Sequence, residues 1–166
     1  MPSTQTVAVI DIGSNSIKLL VASPSESGED IQNIFAETIE ARISSGIGSK
    51  LPRLTPKAME TGVDSVSELI RLALAHQPKT IRIVATSAVR DALNGHEFTK
   101  QVENKTGHRI DILSGPEEAR LIGHGLATDP YLSTLNNFLQ MDLGGGSFEL
   151  IDFKNQQIHQ AISLQL

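Results

Sequence analysis

The hydrophobic positions near the start of this sequence fall into short β-branched runs. The runs at 7–12, 17–22 and 31–43 have the length and composition of β-strands. In the third run the apolar and polar residues alternate imperfectly, which predicts a β-bulge. A GSNS turn separates the first two runs, and Gly46 and Gly48 open a loop after the third. The chain therefore begins with three successive strands.

The next segment has the spacing of an amphipathic helix. Its apolar residues recur with helical periodicity, Thr55 stands at the N-cap, Pro56 at the first helical position, and Pro78 beyond the end. The same criteria predict, in order, a strand at 80–85, a short helix in SAVRDA, a helix capped by Asn94 and ending near Gly107, a strand at 109–113, a helix starting at Pro116, and strands at 137–143, 148–153 and 157–164.

Three strands followed by alternating helices and strands predict an α/β fold, namely a ribonuclease H-like lobe with a mixed sheet and flanking helices. We assign this first lobe to residues 1–125 and the opening strands of a second, similar lobe to residues 126–166. Because no helix follows the last strands, we expect their sheet to pack on the first lobe or on another copy of the chain, through its unpaired edge.

Composition and charge narrow the possible functions. The 166 residues include no cysteine, which excludes disulfides and thiolate metal sites and fits a cytoplasmic protein. The N-terminal residues MPSTQT lack a signal-peptide pattern, and no apolar run approaches the roughly 20 residues of a membrane helix. A net charge of −5 argues against a nucleic-acid polymer as partner. Any site for a smaller anion must therefore be concentrated in one place.

A weak internal repeat carries the candidate chemistry. IDIGSNSIKLLVA (10–22) and MDLGGGSFELIDF (141–153) share a strand, an Asp, a Gly, a small polar turn and a second strand. The corresponding pairs are Asp11 with Asp142, Gly13 with Gly144, and Ser16 with Ser147.

Small residues in such a turn let backbone N–H groups approach phosphate oxygens. The Asp at the strand end can then hold Mg²⁺ or orient a water molecule. A single copy is better explained as an ordinary hairpin turn, but two copies favour a phosphate clamp.

At these residues the sequence resembles the exopolyphosphatase and guanosine pentaphosphate phosphohydrolase (Ppx/GppA) family of the actin-like ATPase superfamily. Five segments carry the resemblance in the family's order: DIGSNSIK, ARISSGIG with LTPKAM, ATSAVRDALN, ILSGPEEARLIGHG and MDLGGGSFEL. Because family members continue beyond the equivalent of Leu166, the resemblance implies that this chain is a fragment and has little activity by itself.

The resemblance implies a role for each candidate residue. Glu118 is the catalytic base, and Asp142 and Glu149 handle a metal, Mg²⁺ or Mn²⁺. The internal repeat, independently of the resemblance, adds Asp11 as a third metal-binding candidate. The implied phosphate-binding residues are Ser14, Asn15, Lys18, Arg90, Gly144, Gly145, Gly146 and Ser147.

The residues themselves leave several alternatives open. Glu117 fits the helix start as well as Glu118, since both complement the helix dipole. Glu149 and Lys18 also fit solvent-facing positions of a sheet. We interpret His108 and His124 as structural or solvated, because neither has a partner at metal-ligand spacing.

We therefore expect a phosphohydrolase that removes terminal phosphate from inorganic polyphosphate or guanosine pentaphosphate (pppGpp), either as a monomer or as a homodimer and without a membrane. The alternatives are an ATPase or sugar kinase of the same superfamily and a non-catalytic regulator that binds polyphosphate or (p)ppGpp.

Overall fold

The computed structural model describes residues 6–25, 30–47 and 51–166, so the predicted loop residue Gly48 lies outside the described residues. The chain forms two compact units, one ending at Ile112 and the other comprising Leu113–Leu166. The first unit contains β1 (Val7–Ile12), β2 (Ile17–Pro24), β3 (Ile31–Ile39), α1 (Pro56–Leu74), β4 (Thr80–Ala85), α2 (Ser87–Arg90), α3 (Gly95–Thr106) and β5 (Asp111–Ile112). The second contains α4 (Gly115–Leu126), a 3₁₀ turn (Leu132–Thr134), β6 (Asn137–Leu143), β7 (Ser147–Lys154) and β8 (Gln157–Gln165).

The first unit is built on a five-stranded sheet of order β3-β2-β1-β4-β5. β1 pairs antiparallel with β2 and parallel with β4, β2 pairs antiparallel with β3, and β4 pairs parallel with β5. The predicted mixed sheet with flanking helices is therefore confirmed. The predicted bulge is also present, since the β2–β3 register shifts between Val21 and Ala22.

One face of this sheet forms the core. The alternate residues Ala8, Ile10 and Ile12 of β1 are fully buried, whereas Val7 and Val9 remain about 40% exposed (41% and 39%). α1 covers the buried face and packs against α3. Where the two helices meet, a Cβ on Gly62 would lie 2.8 Å from the Phe98 ring, so the close approach requires glycine. The opposite face of the sheet carries the polar residues described below.

The third strand ends at Ile39, four positions before its predicted end at residue 43. Arg42 has a positive φ of 46°, which a continuing strand cannot accommodate. Residues 41–44 instead form a strap: the Arg42 N–H donates to the Asn15 carbonyl (2.8 Å) and the Ser44 N–H to the Ser14 carbonyl (3.2 Å). Ile43 anchors the strap because its side chain is completely buried.

The predicted N-cap of α1 is confirmed, because the Thr55 hydroxyl accepts a hydrogen bond from the Ala58 N–H at 3.1 Å. Asn94 precedes α3 as predicted, but its side chain does not cap the helix. Its Oδ1 accepts from the Leu54 N–H (2.8 Å) and its Nδ2 donates to the Leu54 carbonyl (3.0 Å). Asn94 therefore fixes the segment that leads into α1.

The second unit is a three-stranded antiparallel sheet of order β6-β7-β8 with α4 packed on one face. Ala119 of α4 is fully buried against Ile151 and Phe153 of β7. The helix was predicted to belong with residues 1–125, but its apolar stripe contacts the strands that follow it. α4, which the sequence analysis assigned to the first lobe, therefore covers this face of the three-stranded sheet. In the described part of the chain, no helix is long and apolar enough to cross a membrane.

Candidate functional site

Asp11 lies near the end of β1, on the sheet face opposite the helical core. Its Oδ1 atom is buried and has no hydrogen-bond partner. Burial raises the pKa of the Asp11 carboxyl above its ordinary value, and the nearby Lys18 ammonium opposes this shift. A buried carboxylate oxygen without a partner is costly, and such atoms are candidates for contact with a ligand, an ion or water.

Lys18 is the direct strand partner of Asp11, because β1 and β2 pair Asp11 with Lys18. Directly opposed residues of an antiparallel pair project from the same face of the sheet. The Lys18 side chain is exposed, so it can bind an anion without first losing a buried contact. The Asp11 carboxyl and the Lys18 ammonium group therefore lie side by side on the same face of the sheet.

The turn between β1 and β2 is held from two sides. The Gly13 N–H donates to the Ser16 carbonyl at 3.1 Å, which closes the turn. The buried Ser14 hydroxyl lies 3.2 Å from the Ser87 hydroxyl of α2, and the strap at 41–44 holds the carbonyl groups of Ser14 and Asn15. These contacts hold the backbone of the turn in one conformation. The Asn15 side chain is exposed to solvent.

Arg90 is brought to the same turn by α2. The Thr86 N–H donates to the Ile12 carbonyl (3.2 Å), which joins the start of α2 to the end of β1. The Arg90 side chain is only 18% exposed and its Nε lies 3.2 Å from Asp91 Oδ1. The planar guanidinium of arginine suits a bidentate contact with phosphate oxygens. In the first unit, Asp11 and Lys18 are thus strand partners beside this turn, and the start of α2, the helix that carries Arg90, is hydrogen-bonded to the turn through Ser87.

The second copy of the repeat forms a matching turn in the other unit. The Gly144 N–H donates to the Ser147 carbonyl at 2.9 Å, the counterpart of the Gly13–Ser16 bond. A Cβ on Gly144 would lie 3.2 Å from the Ser147 carbonyl oxygen, and one on Gly13 would lie 3.1 Å from that of Ser16. The same hydrogen bond and the same close approach therefore recur in both copies.

Two acids lie beside the second turn. Asp142 of β6 and Glu149 of β7 are strand partners. Glu149 is 2% exposed, whereas Asp142 is exposed. The Ser163 hydroxyl of β8 donates to Glu149 Oε1 at 2.7 Å and fixes its orientation. Sequence reasoning missed Ser163, since only the pairing of β7 with β8 reveals that it faces Glu149.

Glu117 and Glu118 have different roles at the start of α4. Glu117 forms a capping box: its Oε2 accepts from the Ser114 N–H (2.9 Å) and hydroxyl (2.6 Å), and these bonds lower the pKa of Glu117. Glu118 is half-buried and lies outside this box. A Cβ on Gly115 would lie 2.9 Å from the Ser163 Cβ, so the first turn of α4 packs against the residue that holds Glu149.

The strand partners Asp142 and Glu149 are the residues of the second unit that could hold a metal ion. Within residues 6–25, 30–47 and 51–166, no three acidic or histidine side chains gather into a metal-binding group. Mg²⁺ is commonly held by one or two carboxylates together with substrate phosphates and water. The opposed pair Asp142 and Glu149 fits that requirement, with one carboxylate exposed and the other oriented by Ser163.

Solved structures share this architecture over nearly the whole chain. The PPX-GPPA enzyme of Aquifex aeolicus has a TM-score of 0.83 at 26% identity over 98% of this chain, and an exopolyphosphatase-like protein has a TM-score of 0.89 at 30% identity over 98%. An exopolyphosphatase of Cytophaga hutchinsonii, at 24% identity and TM-score 0.88 over 98%, shares the fold.

The chain spans about half of each of these structures (52%, 51% and 51%). They confirm the predicted α/β fold of the actin-like ATPase type. The sequence pattern of the Ppx/GppA phosphatase family matches residues 20–166, which include α2, α4 and the second turn with its acids. The chain therefore belongs to the Ppx/GppA phosphatase family.

Proposed function

We propose that this chain carries the phosphate-binding and catalytic residues of a hydrolase that removes terminal phosphate from a polyphosphorylated anion. The observation that carries the proposal is the repeated turn, in which a strand-end Asp precedes a glycine turn closed by the same hydrogen bond in both copies. Such turns present backbone N–H groups to phosphate oxygens, and family membership supports a phosphatase.

Glu118 is proposed as the general base. It takes a proton from the attacking water as the water oxygen bonds to the terminal phosphorus, and the bridging P–O bond breaks to release the shortened substrate. The capping box supports this choice over Glu117, because Glu117 already accepts two hydrogen bonds from Ser114. A carboxylate whose pKa is lowered by such bonds is a weaker base.

Asp142 and Glu149 are proposed to hold Mg²⁺ or Mn²⁺ in the second unit, and Asp11 is proposed as a metal- or water-binding acid of the first. When bound, the metal neutralises phosphate charge and makes the phosphorus more susceptible to attack. Ser163 keeps Glu149 Oε1 in place, so Ser163 is proposed to position the acid without touching substrate.

Lys18, Arg90, Ser14 and Asn15 are proposed as the phosphate-binding residues of the first unit, and Gly144, Gly145, Gly146 and Ser147 as those of the second. Arg90 suits a bidentate contact and Lys18 a point contact. The net charge of −5 argues against a long basic channel and favours short polyphosphates or a nucleotide such as pppGpp over long polymers.

The test is phosphate release from short polyphosphate, long polyphosphate, pppGpp and ATP with a sugar acceptor, each with Mg²⁺ and with EDTA. It uses the 166-residue chain and the full-length gene product that contains it. We expect the full-length protein to release phosphate from polyphosphate or pppGpp only with the metal, and this chain to release little. Transfer from ATP to the sugar would establish a kinase instead, and binding without turnover would establish a regulator.

A further inference from the structure

A basic pocket lies on the second unit, on a side of α4 that the proposed chemistry does not use. It has a volume of about 300 Å³ and lies between α4 and β8. At roughly 30 Å³ per water molecule, it has room for about ten waters, or for one or two phosphate groups with some of their hydration. Its apolar wall comprises Pro116, Ile158 and Ala161, and its polar wall comprises Arg120, His124, His159 and Gln160.

Helix geometry separates this pocket from the proposed base. Arg120 and His124 are one helical turn apart and therefore lie on one flank of α4. Glu118 precedes Arg120 by two residues, which places it about 200° around the helix at 3.6 residues per turn. Ala119 and Gly123, between the two flanks, face the sheet and are buried. The basic pocket and Glu118 are thus on opposite flanks of the same helix.

A bulge in β8 supplies the third polar group. The β7–β8 register pairs Phe153 with Ile158 and Asp152 with Gln160, which leaves His159 as the extra residue. A bulge of this kind redirects a side chain, and bulges are common beside functional sites. In this case the redirected imidazole lines the same pocket as Arg120 and His124. Regular pairing would have given His159 a partner on β7 and a fixed face.

The charges around the pocket favour an anion. No acidic side chain is among the described residues that line it. The nearby acid on α4 is Glu117, which accepts hydrogen bonds from Ser114 and whose pKa is lowered mainly by those bonds and to a smaller extent by the Arg120 charge. Asp152 on β7 lies 3.5 Å from Lys154. Arg120 disfavours a metal cation, and two imidazoles alone are a poor metal site. Arg120 and both imidazoles have N–H groups that donate to phosphate oxygens.

We infer that the basic pocket is a binding site for a small phosphate-bearing anion, separate from the residues proposed for hydrolysis. Arg120 supplies the main charge, and His124 and His159 add hydrogen bonds. The inference does not depend on the proposed hydrolysis, because it concerns binding by the second unit alone.

The test is titration of the 166-residue chain with inorganic phosphate and with tripolyphosphate, followed through the imidazole ring resonances of each histidine by NMR. We expect the His124 and His159 signals to shift together. Arg120→Gln should weaken this binding about 5–10-fold, and His159→Gln should weaken it to a smaller extent. Arg120, His124 and His159 are all exposed, so the variants should fold, which a thermal melt checks.

Two controls separate this site from others. His108→Gln alters a histidine of the first unit, whose Nδ1 lies 2.9 Å from the Thr106 carbonyl oxygen, and should leave the affinity unchanged. Lys18→Ala should also leave the His124 and His159 shifts unchanged, whatever it does to hydrolysis. The inference is overturned if neither anion moves these signals at millimolar concentration. Unaltered affinity in Arg120→Gln, or loss of the shifts in Lys18→Ala, overturns it equally.

Discussion

Replacement of Asp11 by asparagine should stabilise the protein at neutral pH. The carboxyl is desolvated by burial, its Oδ1 has no hydrogen-bond partner, and its pKa is raised despite the nearby Lys18. Asparagine keeps the shape and removes the charge. An unsatisfied buried polar group costs about 1–3 kcal/mol, and the new amide still needs partners, so we expect a gain of about 1 kcal/mol. For a chain of this size, that raises Tm by about 2–4 °C.

The stability difference between the Asp11→Asn variant and the wild-type protein should depend on pH. The folded state holds the Asp11 proton more tightly than the unfolded state, whose pKa is near 3.8. The wild-type protein therefore loses stability as pH rises from that value through the raised pKa, and the loss persists at neutral pH. The Asp11→Asn variant has no such loss. The difference in Tm between the two should shrink towards zero as pH falls below 3.8.

Thermal and urea unfolding from pH 3 to pH 8 measures this difference. Asp30→Asn is the matched control, since Asp30 is an exposed acid in the same unit, and it should change Tm by less than about 1 °C at any pH. A destabilised Asp11→Asn variant at neutral pH would show that the folded protein compensates the charge. A difference that stays constant with pH would show that the charge is irrelevant. Either result refutes the reasoning.

Three further predictions concern substrate binding by two cationic side chains, a close backbone approach at a glycine, and a helix cap. Lys18→Ala or Arg90→Ala should raise KM for the substrate about tenfold or more in steady-state assays of the full-length protein, and an unchanged KM for both would show that neither residue binds the substrate. Gly95→Ala should destabilise the first unit by about 3 kcal/mol or more in urea unfolding, because its Cβ would lie 2.0 Å from the Val89 carbonyl oxygen. Thr55→Ala should cost about 1 kcal/mol in the same experiment, whereas Thr55→Ser should cost little, since only the hydroxyl cap is needed.

The sequence patterns predicted those elements whose conformation depends mainly on neighbouring residues in the chain. The β-branched runs of β1 and β4, the Thr55 cap and the two glycine turns follow from backbone preferences that neighbouring residues determine. The repeat of Asp-x-Gly also placed Asp11 and Asp142 correctly at strand ends. The family resemblance added roles for Glu118 and Arg90 that no local pattern assigns.

Features that depend on distant partners were not predictable from the same patterns. Asn94 looks like a helix cap, yet its amide satisfies both backbone groups of Leu54, forty positions away. Ser163 carries no motif, and only the strand register brings it to Glu149. The apolar stripe of α4 shows that the helix has a buried face but does not say which sheet covers it. His159 was overlooked because a bulge, which arises from pairing, determines where it points.

The central claim, that Glu118 is the base of a phosphohydrolase, is tested most directly by comparing Glu118→Gln with Glu117→Gln in the full-length protein. Glutamine can keep the capping box at 117, so Glu117→Gln should retain wild-type kcat. Glu118→Gln should lower kcat about 10²–10⁴-fold with nearly unchanged KM, since it removes the proton acceptor and leaves the phosphate contacts in place. Near-normal turnover in Glu118→Gln, together with an inactive Glu117→Gln, would contradict the account.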